Sequence, residues 1–236
     1  MPATRIVPIP FTAGPMHLNA YLLLGERVVI VDTLVAGQAE RILAALAEEG
    51  RTPDEVSLIL LTHGHGDHAG SAAALRERTA APVALGAGDE EKCRTGVDLE
   101  MRGRGFLGRQ MLKAIRARHQ QQVGEHRLVC EPDLVLDGPT PLAPYGVDGL
   151  ALPTPGHTRG SLSVFLKDAE DERNVIVGDL IVAGRGGPKL GIFASDENAM
   201  AESVREILRT EPKLVYASHA KEPFTLEEMV GAFDQS

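Results

Sequence analysis

The chain has 236 residues, of which 43% are hydrophobic and 4% are aromatic, with no tryptophan. This hydrophobic share is that of a globular protein and excludes a mainly disordered chain. Acidic residues outnumber basic ones by 33 to 24, and the formal charge of −9 argues against general nucleic-acid binding. We therefore expect residues 1–236 to form a single α/β domain with no nucleic-acid partner.

No segment has the pattern of a membrane span or a secretory signal. The N-terminus lacks a basic stretch followed by an apolar one, and no apolar run approaches the ~18 residues that cross a bilayer. The two cysteines, Cys93 and Cys130, fit reduced thiols of a cytosolic protein better than a disulfide, which stays an open alternative. We expect a cytoplasmic protein with no membrane partner.

The first third of the chain predicts strands followed by helices. Gly25-Glu26-Arg27 lies between two β-prone runs and suits a hairpin turn. An uninterrupted apolar run further on is typical of a strand that is buried on both faces. The predicted strands are 18–24, 28–31 and 56–61, and the predicted helices are 38–49 and 69–78.

The same alternation returns in the second half of the chain. Several polar side chains directly follow predicted strands, and rigid strand ends are where α/β proteins usually carry their sites. These residues are Asp32, the histidines after residue 61, Asp179 and His219, whereas His157 lies in a Gly/Pro loop. The predicted strands are 150–152, 161–166, 174–177 and 214–216, and the predicted helices are 197–209 and 226–233.

A dense group of metal-binding residue types follows the strand predicted at 56–61: Thr62-His63-Gly64-His65-Gly66-Asp67-His68. Alternate residues of a compact loop can point toward one region, and Gly64 and Gly66 add backbone freedom and no obstructing side chain. Imidazole nitrogens and carboxylate oxygens are good ligands for zinc and other borderline divalent metals. The run therefore predicts a metal site, the alternative being an ordinary polar turn.

Three later residues extend the pattern: His157 in Thr154-Pro155-Gly156-His157-Thr158, Asp179 after Gly178, and His219. Each is weak evidence alone, but their order, together with Val31-Asp32-Thr33, resembles the metallo-β-lactamase superfamily over roughly residues 18–220. The resemblance implies a four-layer αββα sandwich, in which two mixed β-sheets pack face to face with helices outside.

The resemblance also implies a dinuclear metal centre and assigns its ligands. One ion would be held by His63, His65 and His157, the other by Asp67, His68 and His219, and Asp179 would bridge the two. Asp32 would orient a ligand histidine by a hydrogen bond, as metal-binding imidazoles generally require. The expected cofactors are two divalent ions, zinc first, with iron or manganese as alternatives.

Three positions depart from the family pattern. Leu34 stands where the family often has glycine, and Arg159 stands where it often has proline. His219 is flanked by Ser218 and Ala220 instead of glycines. Because serine and alanine are small, we expect the site to be retained, with His219 as its least secure member.

Such a centre predicts hydrolysis of a small molecule. Two cations about 3.5–4 Å apart lower the pKa of a shared water toward neutrality and polarise the oxygen of the substrate. The activated water or hydroxide would attack the carbonyl of an ester, thioester, lactone or lactam. Asp67 is the expected catalytic residue, since it would orient the water and pass a proton to the leaving group.

Two other functions stay open at this stage. Persulfide dioxygenases of the same superfamily keep a similar motif but use one iron, and a phosphodiester hydrolase or nuclease would draw support only from a basic segment. A full glyoxalase II is not expected, because its glutathione-binding part lies in an added C-terminal helical domain and only 17 residues follow His219.

The basic segment is a predicted helical insertion around residues 101–122. Seven Lys/Arg and one acidic residue lie between residues 102 and 127, in contrast to the acidic chain as a whole. Leu107, Met111 and Ile115 are spaced by four, which indicates an amphipathic helix. Three roles fit: a lid for acyl or anionic substrates, a plain surface helix, or a contact in a homodimer.

Overall fold

The computed structural model describes residues 3–14, 16–121, 130–167 and 172–233. The strands in these ranges are β1 (Arg5–Ala13), β2 (Met16–Leu24), β3 (Val28–Val31), β4 (Val56–Leu60), β5 (Val83–Gly86), β6 (Arg102–Gly103), β7 (Leu134–Leu136), β8 (Thr140–Pro141), β9 (Gly149–Pro153), β10 (Leu162–Lys167), β11 (Arg173–Ile176), β12 (Ile181–Gly184), β13 (Gly187–Leu190), β14 (Phe193–Ala194), β15 (Leu214–Tyr216) and β16 (Phe224–Thr225). The helices are α1 (Ala39–Glu48), α2 (Gly66–Ala69), α3 (Ala72–Thr79), α4 (Glu90–Thr95), α5 (Gly105–Gln121), α6 (Glu197–Arg209) and α7 (Leu226–Phe233).

Twelve of these strands form two six-stranded sheets, in the orders β1-β2-β3-β4-β5-β7 and β16-β15-β11-β10-β9-β8. Both sheets are mixed. In the first, β1, β2 and β3 are antiparallel, whereas β3, β4, β5 and β7 are parallel. In the second, β11 and β15 are parallel and the other neighbours are antiparallel.

The two sheets pack face to face, as the alternation of side chains shows. Successive residues of a strand point to opposite faces of its sheet. In β3, Val28 and Ile30 belong to a cluster on the outer face, whereas Val29 and Val31 belong to a second cluster that also contains Val164 of β10. This second cluster is therefore the core between the two sheets.

Helices cover the outer face of each sheet. On the first sheet, Ile42 of α1 and Leu75 of α3 pack into the outer cluster. On the second, Val204 of α6 and Met229 of α7 do the same. The side chain of Asp196 caps α6 by accepting two backbone N–H groups of its first turn. The predicted four-layer αββα sandwich of two mixed sheets is thus confirmed.

The elements differ from prediction at two places near the N-terminus. The helix predicted at 69–78 is instead two helices, α2 and α3, which are separated at Gly70 and Ser71. The strand β1 was missed; it pairs with β2 along its whole length. It contains Pro8 and Pro10, which weaken a strand signal in sequence but are tolerated because β1 is at the edge of its sheet.

The predicted basic helix exists as α5, and it packs through a face other than the one that carries Leu107 and Met111. Leu107 and Met111 are 68% and 40% exposed, whereas Leu112 is 7% exposed. Gly108 is also buried, so α5 packs through positions 108 and 112. Residue 122 of the predicted segment lies outside the described residues. None of the helices in the described ranges is long and apolar enough to cross a bilayer.

Candidate metal centre

The predicted site residues lie in loops that follow the strands of both sheets. The loop after β4 and the short helix α2 into which it leads carry the residues from 62 to 68. The other loops follow β3, β9, β11 and β15 and carry Asp32, His157, Asp179 and His219. Because β3 and β4 are parallel, as are β11 and β15, each pair ends at the same edge of its sheet. The fold therefore brings these loops to one place.

All seven side chains predicted to bind metal meet in one cluster. Within it, three groups each offer ligand atoms that lie within 4.8 Å of one another. The groups are His63, His65 and His157; His63, His68 and Asp179; and Asp67, His68 and His219. The first and third groups have the same membership as the two sets that the sequence predicted, including His219, the least secure of them.

Asp179 lies between the two outer groups. Its Oδ2 is 3.1 Å from His219 Nε2 and 3.7 Å from His157 Nε2, and its Oδ1 is 3.3 Å from His68 Nε2. Asp67 Oδ2 is 3.7 Å from His219 Nε2 on the more open side. One carboxylate therefore reaches histidines of both groups, as a bridging ligand must.

Main-chain carbonyls orient two of the histidines. His157 Nδ1 donates a hydrogen bond to the carbonyl of Phe193 at 2.9 Å, and His219 Nδ1 donates to the carbonyl of His17 at 2.8 Å. Since a carbonyl can only accept, each Nδ1 carries a proton, and Nε2 is the nitrogen that remains for a metal ion. In both histidines it is this Nε2 that faces the cluster.

Asp32 orients two further histidines, as the sequence predicted for one. Its Oδ2 accepts from His68 Nδ1 at 2.8 Å and from Thr62 Oγ1 at 2.8 Å. Because the Thr62 hydroxyl proton goes to Asp32, that oxygen can accept from His63 Nδ1, which lies 3.1 Å away. Ser218 Oγ lies 3.4 Å from the same carboxylate. The Nε2 atoms of His63 and His68 are thereby left for the cluster.

Asp98 fixes His65, and sequence reasoning missed it. Its fully buried Oδ2 accepts from His65 Nε2 at 3.0 Å, so that His65 Nδ1 faces the cluster, 3.1 Å from His157 Nε2. Its Oδ1 accepts the backbone N–H groups of Glu100 and Met101. Burial alone would raise the pKa of Asp98, but the hydrogen bond and charge of His65 help to lower it below its usual value.

Asp89, also missed, joins two of the ligand-bearing loops. Its Oδ2 accepts from the backbone N–H of Gly64 at 2.9 Å and from Thr158 Oγ1 at 2.6 Å. Its Oδ1 accepts from the backbone N–H of Gly160 at 3.1 Å and lies 3.2 Å from Lys92 Nζ. No sequence signal marks Asp89 or Asp98, because both are ordinary acidic residues far along the chain from the histidines they support.

The two glycines of the motif have different roles. A Cβ at Gly64 would lie 2.8 Å from the carbonyl oxygen of Asp89, so the close packing of the loop against the start of α4 requires glycine there. A Cβ at Gly66 would meet no atom within 4 Å among the described residues. The structure therefore gives a packing reason for glycine at position 64 and, among the described residues, none at position 66.

The turn after β3 is backbone-strained at two non-glycine residues. Asp32 and Leu34 both have φ of +59°. Such a conformation favours glycine and costs a branched side chain free energy. Leu34 is nonetheless fully buried in the outer cluster of the first sheet. Its burial offsets the strain, which explains how leucine is accommodated where the resemblance predicted glycine.

Three buried atoms of the cluster form no hydrogen bond of normal geometry among the described residues: His63 Nε2, and the facing pair His68 Nε2 and Asp179 Oδ1, which lie 3.3 Å apart. An unsatisfied buried polar atom costs about 1–3 kcal/mol, so a concentration of them indicates a missing partner. Lone pairs of imidazole nitrogen and carboxylate oxygen are the donors that zinc and similar divalent ions take. The residues present therefore fit a divalent metal.

The charges of the cluster point to the same kind of partner. Burial opposes ionisation, yet His219 and His68 hold the pKa of Asp179 well below its usual value. Asp179 in turn raises the pKa of His219 to about 9, and it raises that of His68 against burial. Burial lowers the pKa of His157 to about 4 and, with the neighbouring histidines, that of His63 well below its usual value. His63 and His157 are thus unprotonated at neutral pH, as metal ligation requires.

Comparison with known proteins supports this interpretation of the site. A family model described as the metallo-beta-lactamase superfamily matches residues 13–219. A probable metallo-hydrolase of Bacillus subtilis, YqgX, is 30% identical over 218 residues, which is 91% of this chain and 90% of that protein. A hydroxyacylglutathione hydrolase of Xanthomonas axonopodis pv. citri is 45% identical over 86 residues, 36% of this chain and 31% of that protein.

The fold agrees with that of a solved structure. The crystal structure of the BLEG-1 B3 metallo-beta-lactamase superposes with a TM-score of 0.68 and 22% identity, covering 97% of this chain and 98% of that one. At this identity the likeness concerns the fold, whereas the family model spans most of the sequence, including every predicted ligand. The chain therefore belongs to the metallo-β-lactamase superfamily and is a metal-dependent hydrolase.

Proposed function

We propose that the protein is a dinuclear zinc hydrolase that acts on the carbonyl of an ester, thioester, lactone or lactam. The observation that carries the proposal is the pair of ligand groups on either side of Asp179. A single ion would need only one of them. Two groups with a carboxylate between them favour two ions with a shared bridge.

The proposed ligands follow from which ring nitrogens are left facing the cluster. The first ion takes His63 Nε2, His65 Nδ1 and His157 Nε2, because the other nitrogen of each is hydrogen-bonded elsewhere. The second takes Nε2 of His68 and of His219, with Asp67 as its carboxylate, and Asp179 bridges. Zinc suits this mixture of nitrogen and oxygen donors.

The chemistry that the ions would supply is an activated water and polarisation of the substrate oxygen. Asp67 is the proposed catalytic residue, because its carboxylate is partly exposed while those of Asp32 and Asp98 are buried. Asp67 would hold the water by a hydrogen bond and accept its proton. In the balanced reaction, the hydroxyl of water ends on the acyl carbon, the acyl C–O, C–S or C–N bond breaks, and the proton passes to the leaving group.

Carbonyl substrates are favoured over phosphodiesters by the relatives as well as by charge. The hydroxyacylglutathione hydrolase and the β-lactamase act, by their names, on an acyl conjugate and on a lactam. Both reactions break an acyl bond. The formal charge of −9 disfavours the long anionic backbone of a nucleic acid. The described residues contain no feature that would favour a nuclease beyond the basic helix α5.

The experiment combines metal analysis with a substrate panel. We expect about two zinc ions per chain by inductively coupled plasma mass spectrometry, and turnover of at least one lactone, thioester, ester or β-lactam. H65A should lose activity on that substrate, whereas H126A, at a histidine outside both proposed ligand sets, should keep it. Full activity of H65A would contradict the metal mechanism. One iron per chain with oxygen consumption would identify a dioxygenase instead.

A further inference from the structure

A cleft lies beside the metal centre, between α5 and the loop that carries His157. Its volume is about 990 Å³, at the upper end of the roughly 300–1,000 Å³ typical of small-molecule pockets. One wall is formed by residues 99–103 together with α5, and the opposite wall by Pro155, Gly156 and Arg159. The first residues of α6 complete the lining. The cleft is therefore large enough for the non-reacting part of a substrate.

Both walls are continuous with residues that hold metal-binding histidines. Gly156 immediately precedes His157, and Arg159 follows it by two residues. On the other wall, Leu99 immediately follows Asp98, whose carboxylate accepts the hydrogen bond from His65. A molecule in this cleft thus contacts the loop that presents His157 and the segment that follows Asp98, the hydrogen-bond partner of His65.

The acidic residues that line the cleft are already engaged. Glu197 is 3.0 Å from Arg104, and Asp196 accepts the backbone N–H groups that begin α6. Glu100 lies 3.4 Å from Arg159 and 3.8 Å from Lys92. Their negative charges are therefore largely balanced within the protein.

Two arginines of the same lining differ from these acidic residues. Arg102 and Arg109 have no carboxylate partner among the residues that the structure describes. Arg116, two helical turns after Arg109 on α5, donates a hydrogen bond to the carbonyl of Met101 and adds a third positive charge to the cleft. In an otherwise acidic protein, these charges make the cleft locally attractive to an anion. Guanidinium groups bind carboxylates through paired hydrogen bonds.

Most of the remaining lining is apolar. Leu99 is 85% exposed and Met101 and Leu112 also face the cleft. An exposed leucine beside unpaired arginines suits a ligand that has a hydrocarbon chain with an anionic end. A neutral acyl chain would give the two arginines no anionic partner, and a small anion would leave the apolar side chains exposed to water.

We propose that the substrate of this hydrolase is an acyl compound that carries a second, free carboxylate, and that Arg102 and Arg109 bind this carboxylate in the cleft. The proposal rests on the hydrolase function proposed above. The apolar lining takes the hydrocarbon part, and the scissile carbonyl extends past Gly156 to the metal centre. The cleft thus selects the substrate, whereas the metal-binding loops perform the reaction.

The test uses two esters that differ only in the terminal group: mono-4-nitrophenyl adipate, which has a free carboxylate, and 4-nitrophenyl hexanoate, which does not. With the zinc-loaded wild-type enzyme, we expect kcat/KM to be about tenfold to a hundredfold higher for the adipate, the range for hydrogen bonds to a charged group. In the double variant R102Q/R109Q this ratio should fall about tenfold or more. K113A, which removes a positive charge of α5 outside the cleft, should keep the ratio.

The outcomes separate this inference from the function on which it rests. Equal kcat/KM for both esters in the wild type, or an unchanged ratio in R102Q/R109Q, would overturn the cleft proposal and leave the hydrolase intact. Failure of the zinc-loaded enzyme to hydrolyse either ester or any member of the wider substrate panel would overturn both. The unfolding temperature of R102Q/R109Q serves as the control. If it equals that of the wild type, a lower ratio of the two kcat/KM values reflects altered substrate binding and not misfolding.

Discussion

The loop after β4 carries metal-binding residues and the helix α5 lines the cleft, and the two are built on opposite principles. In the loop, His63 and His68 are buried, and one ring nitrogen of each is fixed by a hydrogen bond. On α5, Leu107 and Met111 are exposed, and the helix is attached mainly through Gly108 and Leu112. Metal binding needs fixed donor atoms, whereas a helix that packs through one narrow face leaves its other side chains free to contact a substrate.

The largest effect should come from the residue that joins the two ligand groups. In D179N, the amide loses the charge that attracts both ions, so we expect about 10³-fold lower kcat/KM, more than the 10–100-fold typical of outer hydrogen-bond partners. Metal content should fall below two ions per chain. The matched control D137N changes an exposed aspartate and should retain both properties. Two tightly bound ions in D179N would contradict the bridging role.

A smaller effect is expected from the support of one ligand. D98N replaces a charged acceptor of the His65 proton with a neutral one, so metal affinity should fall about 10–100-fold. The measurement is competition with a chelator, compared with the temperature of unfolding. Unchanged metal affinity with a lower unfolding temperature would assign Asp98 to loop structure alone.

The attachment of α5 can be tested by two substitutions of the same kind. L112A removes a buried side chain and should lower the free energy of unfolding by about 2 kcal/mol, the low end for a core leucine, because α5 lies at the surface. L107A removes an exposed one and should change it by about 0.5 kcal/mol or less. Equal effects in urea unfolding would mean that α5 packs through a different face.

The smallest effect distinguishes the two glycines of the motif. G66A adds a methyl group to open space at the start of α2 and should alter stability by about 0.5 kcal/mol or less. G64A places its Cβ against the carbonyl of Asp89 and should cost about 1–3 kcal/mol. Chemical unfolding of both variants measures the difference, and a greater loss in G66A than in G64A would refute this explanation.

Much of the architecture could be predicted because local signals agreed with the fold. The strands at β3, β4 and β15 and the helices α6 and α7 lie where hydrophobic pattern and β-propensity placed them. The edge strand β1 was missed because its prolines oppose the local signal. The single domain over 1–236, the cytoplasmic location and the homodimer contact stay predictions.

By itself, the sequence predicted the seven residues that converge on one cluster and, through the resemblance that they carry, the family and its layered fold, since the motif His63 to His68 is dense and the later residues follow in a specific order. Only the tertiary structure decided which side chains orient those residues, since Asp89 and Asp98 are near them in space and distant in sequence. It also decided which face of α5 packs and that Arg102 and Arg109 line a cleft, where they form no ion pair with any residue that the structure describes. The physical reason is that periodicity reports burial along one element, whereas pairing between elements depends on how they pack.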